Sequence, residues 1–249
     1  MADNLVGSRW LPPQRSLPDA GVQLFCLPAA GLGASAYREW QGALGPGVEV
    51  IAVRLPGREM RFDDQPLSAV EPIVEQLTGP LLERADRPFA LFGHSMGALL
   101  SFEIAHEAVR RGRPPVQLIV SGLEAAHDRT PVRVKAHELP EAELLEYVLK
   151  LGGIPPEGHE FPELVALFLP TLRADLAVGE TYRYRERTPL PVPITALAGR
   201  DDPTVDHRRF AAWSQLTCKE ARTHLLPGEH FYLDAERPAV LDIIRSVLR

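Results

Sequence analysis

Phe89-Ala90-Leu91-Phe92-Gly93-His94-Ser95-Met96-Gly97 runs straight into an amphipathic stretch, Ala98 to Arg111. The order is a short apolar strand, a sharp turn and a helix, and in that setting G-x-S-x-G reads as a nucleophile elbow. Such a turn holds its serine in a strained backbone conformation, so the residues pressed against it must be small. A glycine on each side meets that need. The competing reading is a glycine-rich turn whose serine only caps the helix.

Strand and helix patterns alternate on both sides of this turn. Strands are expected at Val22 to Leu27, Val48 to Arg54, Phe89 to Phe92, Val116 to Ser121, Pro193 to Ala198 and Arg222 to Leu226. Helices are expected at Tyr37 to Leu44, Val70 to Arg84, Asp206 to Gln215 and Arg237 to Leu248, besides the one after the elbow. Alternation with apolar strands predicts an α/β fold: a mostly parallel sheet with helices on both faces, forming one domain over residues 1–249. From Ala125 to Thr188 the alternation stops. Glu141 to Leu151 carries Leu144, Leu145, Val148 and Leu149 on one face; Pro162 to Leu176 carries Leu164, Leu167, Phe168, Leu172 and Leu176. Apolar residues at i, i+3, i+4 spacing mean amphipathic helices. Gly152-Gly153 and Pro155-Pro156 separate the two as a hinge. Residues 125–188 therefore read as a helical lid inserted near the carboxyl ends of the sheet, where such folds bind ligands. Extra helices buttressing the sheet are the alternative.

A net charge of −6 argues against a nucleic-acid partner. No apolar run approaches the ~20 residues that span a bilayer, and the polar, proline-containing start has no signal pattern, so a cytoplasmic chain without a membrane partner is expected. Two cysteines, Cys26 and Cys218, make neither a disulfide framework nor a metal site, and no metal is expected. Met1 leads to the expectation of a free-standing chain.

A serine nucleophile needs a base, a group that orients the base, and donors for the oxyanion. The partners follow the elbow in the order Ser, Asp or Glu, His. Of eight histidines, His94 lies inside the elbow, His106 on its helix, and His127, His137 and His159 in the lid region. His207 and His224 sit in or beside late elements. His230 follows the last strand through Pro227-Gly228-Glu229 and is the expected base. The loop Gly199-Arg200-Asp201-Asp202-Pro203 offers two acids. G-x-x-D spacing selects Asp202 and leaves Asp201 as the alternative, with the other aspartate a turn or cap residue. The oxyanion donors are expected to be the amide of Met96 and one from Pro28-Ala29-Ala30-Gly31-Leu32-Gly33, with Ala30 first and Ala29 second.

Five stretches together resemble the type II thioesterases, free-standing α/β-hydrolases that accompany polyketide synthases and nonribosomal peptide synthetases. They are Phe92 to Ala98 (FGHSMGA), Pro28 to Gly31 (PAAG), Arg54 to Glu59 (RLPGRE), Gly199 to Pro203 (GRDDP) and Gly228 to Tyr232 (GEHFY). The resemblance covers about Val22 to Leu248. It departs at Ala29, where the family carries a larger residue, and at Gly31-Leu32, where it carries two glycines. It implies an α/β-hydrolase fold with a helical lid over an apolar acyl chamber, and Ser95, Asp202 and His230 as nucleophile, acid and base. It also implies acyl thioester substrates on the phosphopantetheine arm of acyl or peptidyl carrier proteins, with no cofactor of the enzyme's own. Acidic carriers would meet an arginine patch, with Arg54, Arg58, Arg61, Arg183, Arg185 and Arg187 as candidates. The expected role for Arg58 and Glu59 is an ion pair bracing a loop. A carboxylesterase or lipase on oxygen esters is the alternative enzyme, and an idle hydrolase-fold binding module the alternative class.

Overall fold

The structure, a computed structural model, describes residues 9–12, 17, 19–150 and 162–248. The expected hinge at Gly152-Gly153 and Pro155-Pro156, and His159, lie outside the described residues.

Six strands form one parallel sheet: β1 (Val22–Leu27), β2 (Val48–Ala52), β3 (Phe89–His94), β4 (Gln117–Ser121), β5 (Ile194–Gly199) and β6 (Ala221–Leu226), in the order β2-β1-β3-β4-β5-β6. The helices are α1 (Trp40–Leu44), α2 (Val70–Arg84), α3 (Met96–Arg110), α4 (Glu141–Lys150), α5 (Pro162–Thr181), α6 (His207–Ala211) and α7 (Arg237–Val247). Side chains alternate along a strand, so each strand feeds two cores. Phe25, Leu27 and Leu91 pack with α2 and α3 on one face. Leu24, Cys26 and Phe92 pack with Trp40 of α1 and Ile244 of α7 on the other. Tyr37, Trp40 and Phe92 meet edge to face, with centroids 4.8 to 5.8 Å apart. Each such side chain, buried fully, stabilises the fold by roughly 1.5–3 kcal/mol. β6 closes the sheet as a partly exposed edge bearing Arg222 and Thr223, polar residues that discourage pairing with a further strand.

Strand register brings the loops to one edge. Leu27 pairs with Gly93, His94 with Ser121, and Gly199 with Leu226, so the chain leaves β1, β3, β4, β5 and β6 at the same rim. Above it α4 and α5 form a small core of their own from Ala136, Leu144, Val148, Leu169 and Leu172, with Ala30 packed against it. The sequence reading of α5 needs correction. Leu167 and Phe168 are 54% and 48% exposed, and the buried line runs through Leu169, Leu172, Asp175 and Val178. The helix is rotated so that Asp175 faces inward, where it pairs with the buried Arg58. Among the described residues no helix is long and apolar enough to cross a membrane.

Candidate active site

β3 passes to α3 through Ser95 alone, whose backbone sits at φ 54° and ψ −116°. A positive φ at a non-glycine residue costs of order 1–3 kcal/mol and persists only where the surroundings enforce it. Here they do. The Ser95 amide donates to the Ser121 carbonyl at 2.7 Å. A Cβ on Gly93 would lie 2.0 Å from the Gly97 carbonyl oxygen, and one on Gly97 would lie 2.2 Å from that of Leu27. Both glycines are steric requirements, and the elbow forms as expected.

The structure brings Ser95, His230 and Asp202 together. Ser95 Oγ lies 3.0 Å from His230 Nε2, and His230 Nδ1 lies 2.7 Å from Asp202 Oδ2. Burial favours the protonated Asp202 carboxyl, but hydrogen bonds from His230 and Thr204 outweigh it and hold the group below the usual carboxylate range. An ionised carboxylate only accepts, so His230 Nδ1 carries the hydrogen and Nε2 is left to accept from the Ser95 hydroxyl. The Thr204 amide and hydroxyl donate to the other carboxylate oxygen, Oδ1, at 2.8 and 2.6 Å. Thr204 escaped the sequence reading, although a hydroxyl residue two places after an aspartate is a recurrent local turn. Asp201 is exposed, and its amide ties the loop to Gly228. The carboxylate that meets the imidazole is Asp202. Gly199 lets the two loops close, since a Cβ there would stand 2.3 Å from the Glu229 carbonyl oxygen.

His94 lies beneath this cluster. Its ring centroid is 5.1 Å from that of His230, and its Nδ1 is 2.9 Å from Ser121 Oγ, which also meets the Tyr232 hydroxyl at 2.6 Å. Burial, and then the neighbouring His230, push its pKa down to about 3, so the ring is neutral. Gly122, at φ +62°, makes room: a Cβ there would be 2.6 Å from His94 Cε1.

A cavity of about 610 Å³ opens over Ser95, lined by Ala30, Met96, His230, Leu99, Tyr147 of α4 and Leu176 of α5. The amides of Met96 and Ala30 have no protein partner among the described residues. The next two amides along the chain are taken: Gly31 donates to Asp175 Oδ2 at 2.8 Å, and Leu32 to the Ala29 carbonyl at 3.1 Å. Ala29 is buried outside the cavity wall. The chamber wall is mainly apolar, with Glu124, Arg129, Asp175 and Glu180 among its lining residues. The arginine patch is corrected. Arg58 is 5% exposed and paired inside the protein with Asp175. Arg183, Arg185 and Arg187 line a separate groove beside Glu103 and Glu107, while Arg54 lies in another beside Glu59. Arg61 pairs with Asp64. The arginines at the cavity over Ser95 are Arg129 and Arg133. Among the described residues no group of three His, Cys, Asp or Glu side chains is placed to hold a metal.

Known proteins resemble this chain in sequence and in fold. The chain is 39% identical over 246 residues to the linear gramicidin dehydrogenase LgrE of Brevibacillus parabrevis, covering 97% of this chain and 93% of that one. BorB, a type II thioesterase from the borrelidin biosynthetic cluster, superposes with a TM-score of 0.88 at 38% identity over 96% of this chain and 98% of that one. RedJ, the thioesterase of the prodiginine pathway in Streptomyces coelicolor, gives 0.87 at 36% identity, over 96% and 93%. The sheet, elbow and covering helices are those of an α/β-hydrolase. The model of the thioesterase domain matches residues 22–248, and the chain belongs to the thioesterase family.

Proposed function

We propose that this thioesterase hydrolyses acyl groups held as thioesters on the phosphopantetheine arm of carrier proteins, clearing stalled or misprimed chains from a polyketide or nonribosomal peptide synthase. The observation that carries it is the 3.0 Å approach of Ser95 Oγ to an imidazole whose far nitrogen rests on a carboxylate. In this reading Ser95 attacks the thioester carbonyl as His230 Nε2 takes its proton. The Asp202 carboxylate stabilises the imidazolium, and the amides of Met96 and Ala30 donate to the tetrahedral oxygen. The C–S bond breaks, His230 returns the proton to the departing pantetheine sulfur, and an acyl-serine remains. Water, deprotonated by His230, then releases the free acid and restores Ser95. Residues 125–188 act as the lid over this chamber. The arm arrives with the substrate and no resident cofactor takes part. The carrier meets the cavity rim at Arg129 and Arg133, in the cytoplasm where the synthase works.

LgrE is named a dehydrogenase, and Gly31-Leu32-Gly33-Ala34-Ser35-Ala36 has the G-x-G-x-x-A spacing of a dinucleotide loop. Here the protein's own Glu59 carboxylate already accepts from the Ala34 and Ser35 amides at 3.1 and 2.9 Å, where a pyrophosphate would bind. The loop leads into a single 3-10 turn, Ala34–Tyr37, and not into the long helix of a dinucleotide site. The loop supports the oxyanion reading instead.

Steady-state kcat/KM on acyl-carrier thioesters against matched nitrophenyl esters tests the proposal, with Ser95→Ala as the blank. Preference for the carrier thioester is expected. Preference for the oxygen ester points to a carboxylesterase, and hydrolysis unchanged in Ser95→Ala points to a binding module.

A further inference from the structure

Asp175 has no part in the proposed chemistry, yet it is 2% exposed, lies at the wall of the catalytic cavity and makes three short hydrogen bonds. Its Oδ2 accepts from the Gly31 amide at 2.8 Å and from Arg58 Nη1 at 2.6 Å, and its Oδ1 from Arg58 Nη2 at 2.7 Å. Arg58 Nη1 also donates to the Leu32 carbonyl at 3.0 Å, and its Nη2 to that of Pro56 at 3.1 Å. The planar guanidinium thus holds a lid-helix carboxylate and the backbone of the β1 loop in one fixed fork. From the other side Glu59, at φ 48°, grips the amides of Ala34 and Ser35. α5 touches these loops twice more, through the Thr171 hydroxyl on the Gly57 carbonyl at 2.7 Å and through Leu172 against Gly31. The loop is clamped just beyond Ala30, whose amide has no protein partner among the described residues and which lines the cavity together with Ser95.

We infer that Asp175, with Arg58, is a positioning residue of the reaction: it ties helix α5 to the β1 loop so that the Ala30 amide stands ready for the oxyanion. The inference rests on the acyl-transfer reading of the site. Pinning the Gly31 amide fixes the peptide plane directly after Ala30, and pinning the Leu32 carbonyl removes the loop's remaining freedom. Because the pin is carried by α5, a displaced lid helix releases the oxyanion loop. Chamber closure and transition-state binding are then one event. A buried ion pair is weak evidence of a purely stabilising role, since well-packed apolar residues often replace one without loss. That fact supplies the test.

The double replacement Arg58→Met/Asp175→Leu removes both charges together, and the expected outcome is a folded protein with a Tm near wild type. Losing one of two oxyanion donors costs ~10²–10³ in rate, so a loop left unpinned lowers kcat by about 10–100-fold with KM nearly unchanged. Affinity for an alkyl boronic acid, which forms a tetrahedral adduct on Ser95, falls by the same factor. Asp175→Asn, nearly isosteric, sets one amide hydrogen against a donor in either orientation and lowers kcat about 10-fold. It serves as the measurement should the double variant not fold. Wild-type kcat and boronate affinity in a folded variant would overturn the inference and leave the pair a brace. Running both carrier thioester and nitrophenyl ester keeps the two questions apart. A wild-type enzyme that prefers the ester defeats the substrate reading, while the kcat loss on that ester still tests the clamp.

Discussion

The two halves of the active site are built in different ways. On one side the Ser95, Asp202 and His230 side chains sit within a few residues of the ends of β3, β5 and β6, each presented by a short turn. On the other side the loop after β1 is held by Asp175, which accepts from the Gly31 amide 144 positions away in the chain, and by Arg58 from a third segment, which donates to the Leu32 carbonyl. Short turns off a rigid sheet carry their own geometry, because register and glycine sterics fix it. A loop of Pro, Ala and Gly has no side chains with which to fix itself and must be held from outside. The side chains at this site are therefore placed locally, and the backbone of the β1 loop is held by distant segments.

The triad offers the most severe challenge to this contrast. Asp202→Asn leaves a neutral group that no longer selects the tautomer, and kcat is expected to fall ~10⁴-fold with the fold intact. Asp201→Asn, exposed and tied only through its backbone, serves as the control and stays near wild type. Comparable losses in the two would mean that the observed hydrogen bond to His230 is not the working one.

A smaller effect probes the turns. Gly199→Ala places a methyl group 2.3 Å from the Glu229 carbonyl oxygen and pushes the His230 loop away from Ser95. Misplacement by about 1 Å costs ~10²-fold in rate, read as kcat of the folded variant. Full activity in Gly199→Ala would show that the triad side, too, tolerates a loop displaced from its local geometry.

The weakest effect is thermodynamic. His94 is neutral in the fold with a pKa of about 3, whereas an unfolded histidine titrates near 6.5. Below about pH 6.5 the unfolded chain therefore binds the extra proton, and stability falls as pH falls, by up to ~1.4 kcal/mol per pH unit from this residue. Above that pH the contribution is constant. Urea unfolding between pH 7 and 4.5 should show a shallower loss of stability in His94→Asn than in wild type. Parallel curves would mean that His94 is charged beneath His230.

The legible and illegible parts of the molecule divide along the same line. The strands and the helix Val70–Arg84 were readable because burial imposes a period on the residues themselves. His230 and Asp202 were readable because their strands end beside them. Arg58 was expected to brace a loop, and it does, but its partner is Asp175 on α5, while Glu59 turns to two backbone amides. No spacing rule links residues 58 and 175. The face of α5 was misread for the same reason: Leu167 and Phe168 satisfy a helical period, yet the helix is rotated with Asp175 inward.

The order of residues was enough to specify the sheet, the strained serine and which imidazole and carboxylate would meet it, since each depends on contacts within a few residues and on the sterics of glycine. Which backbone groups of the β1 loop are taken, which arginines line the cavity and how α5 is turned emerged from the folded molecule alone. Those depend on pairings between distant segments, whose energies are set by burial and geometry that a linear order of residues does not contain.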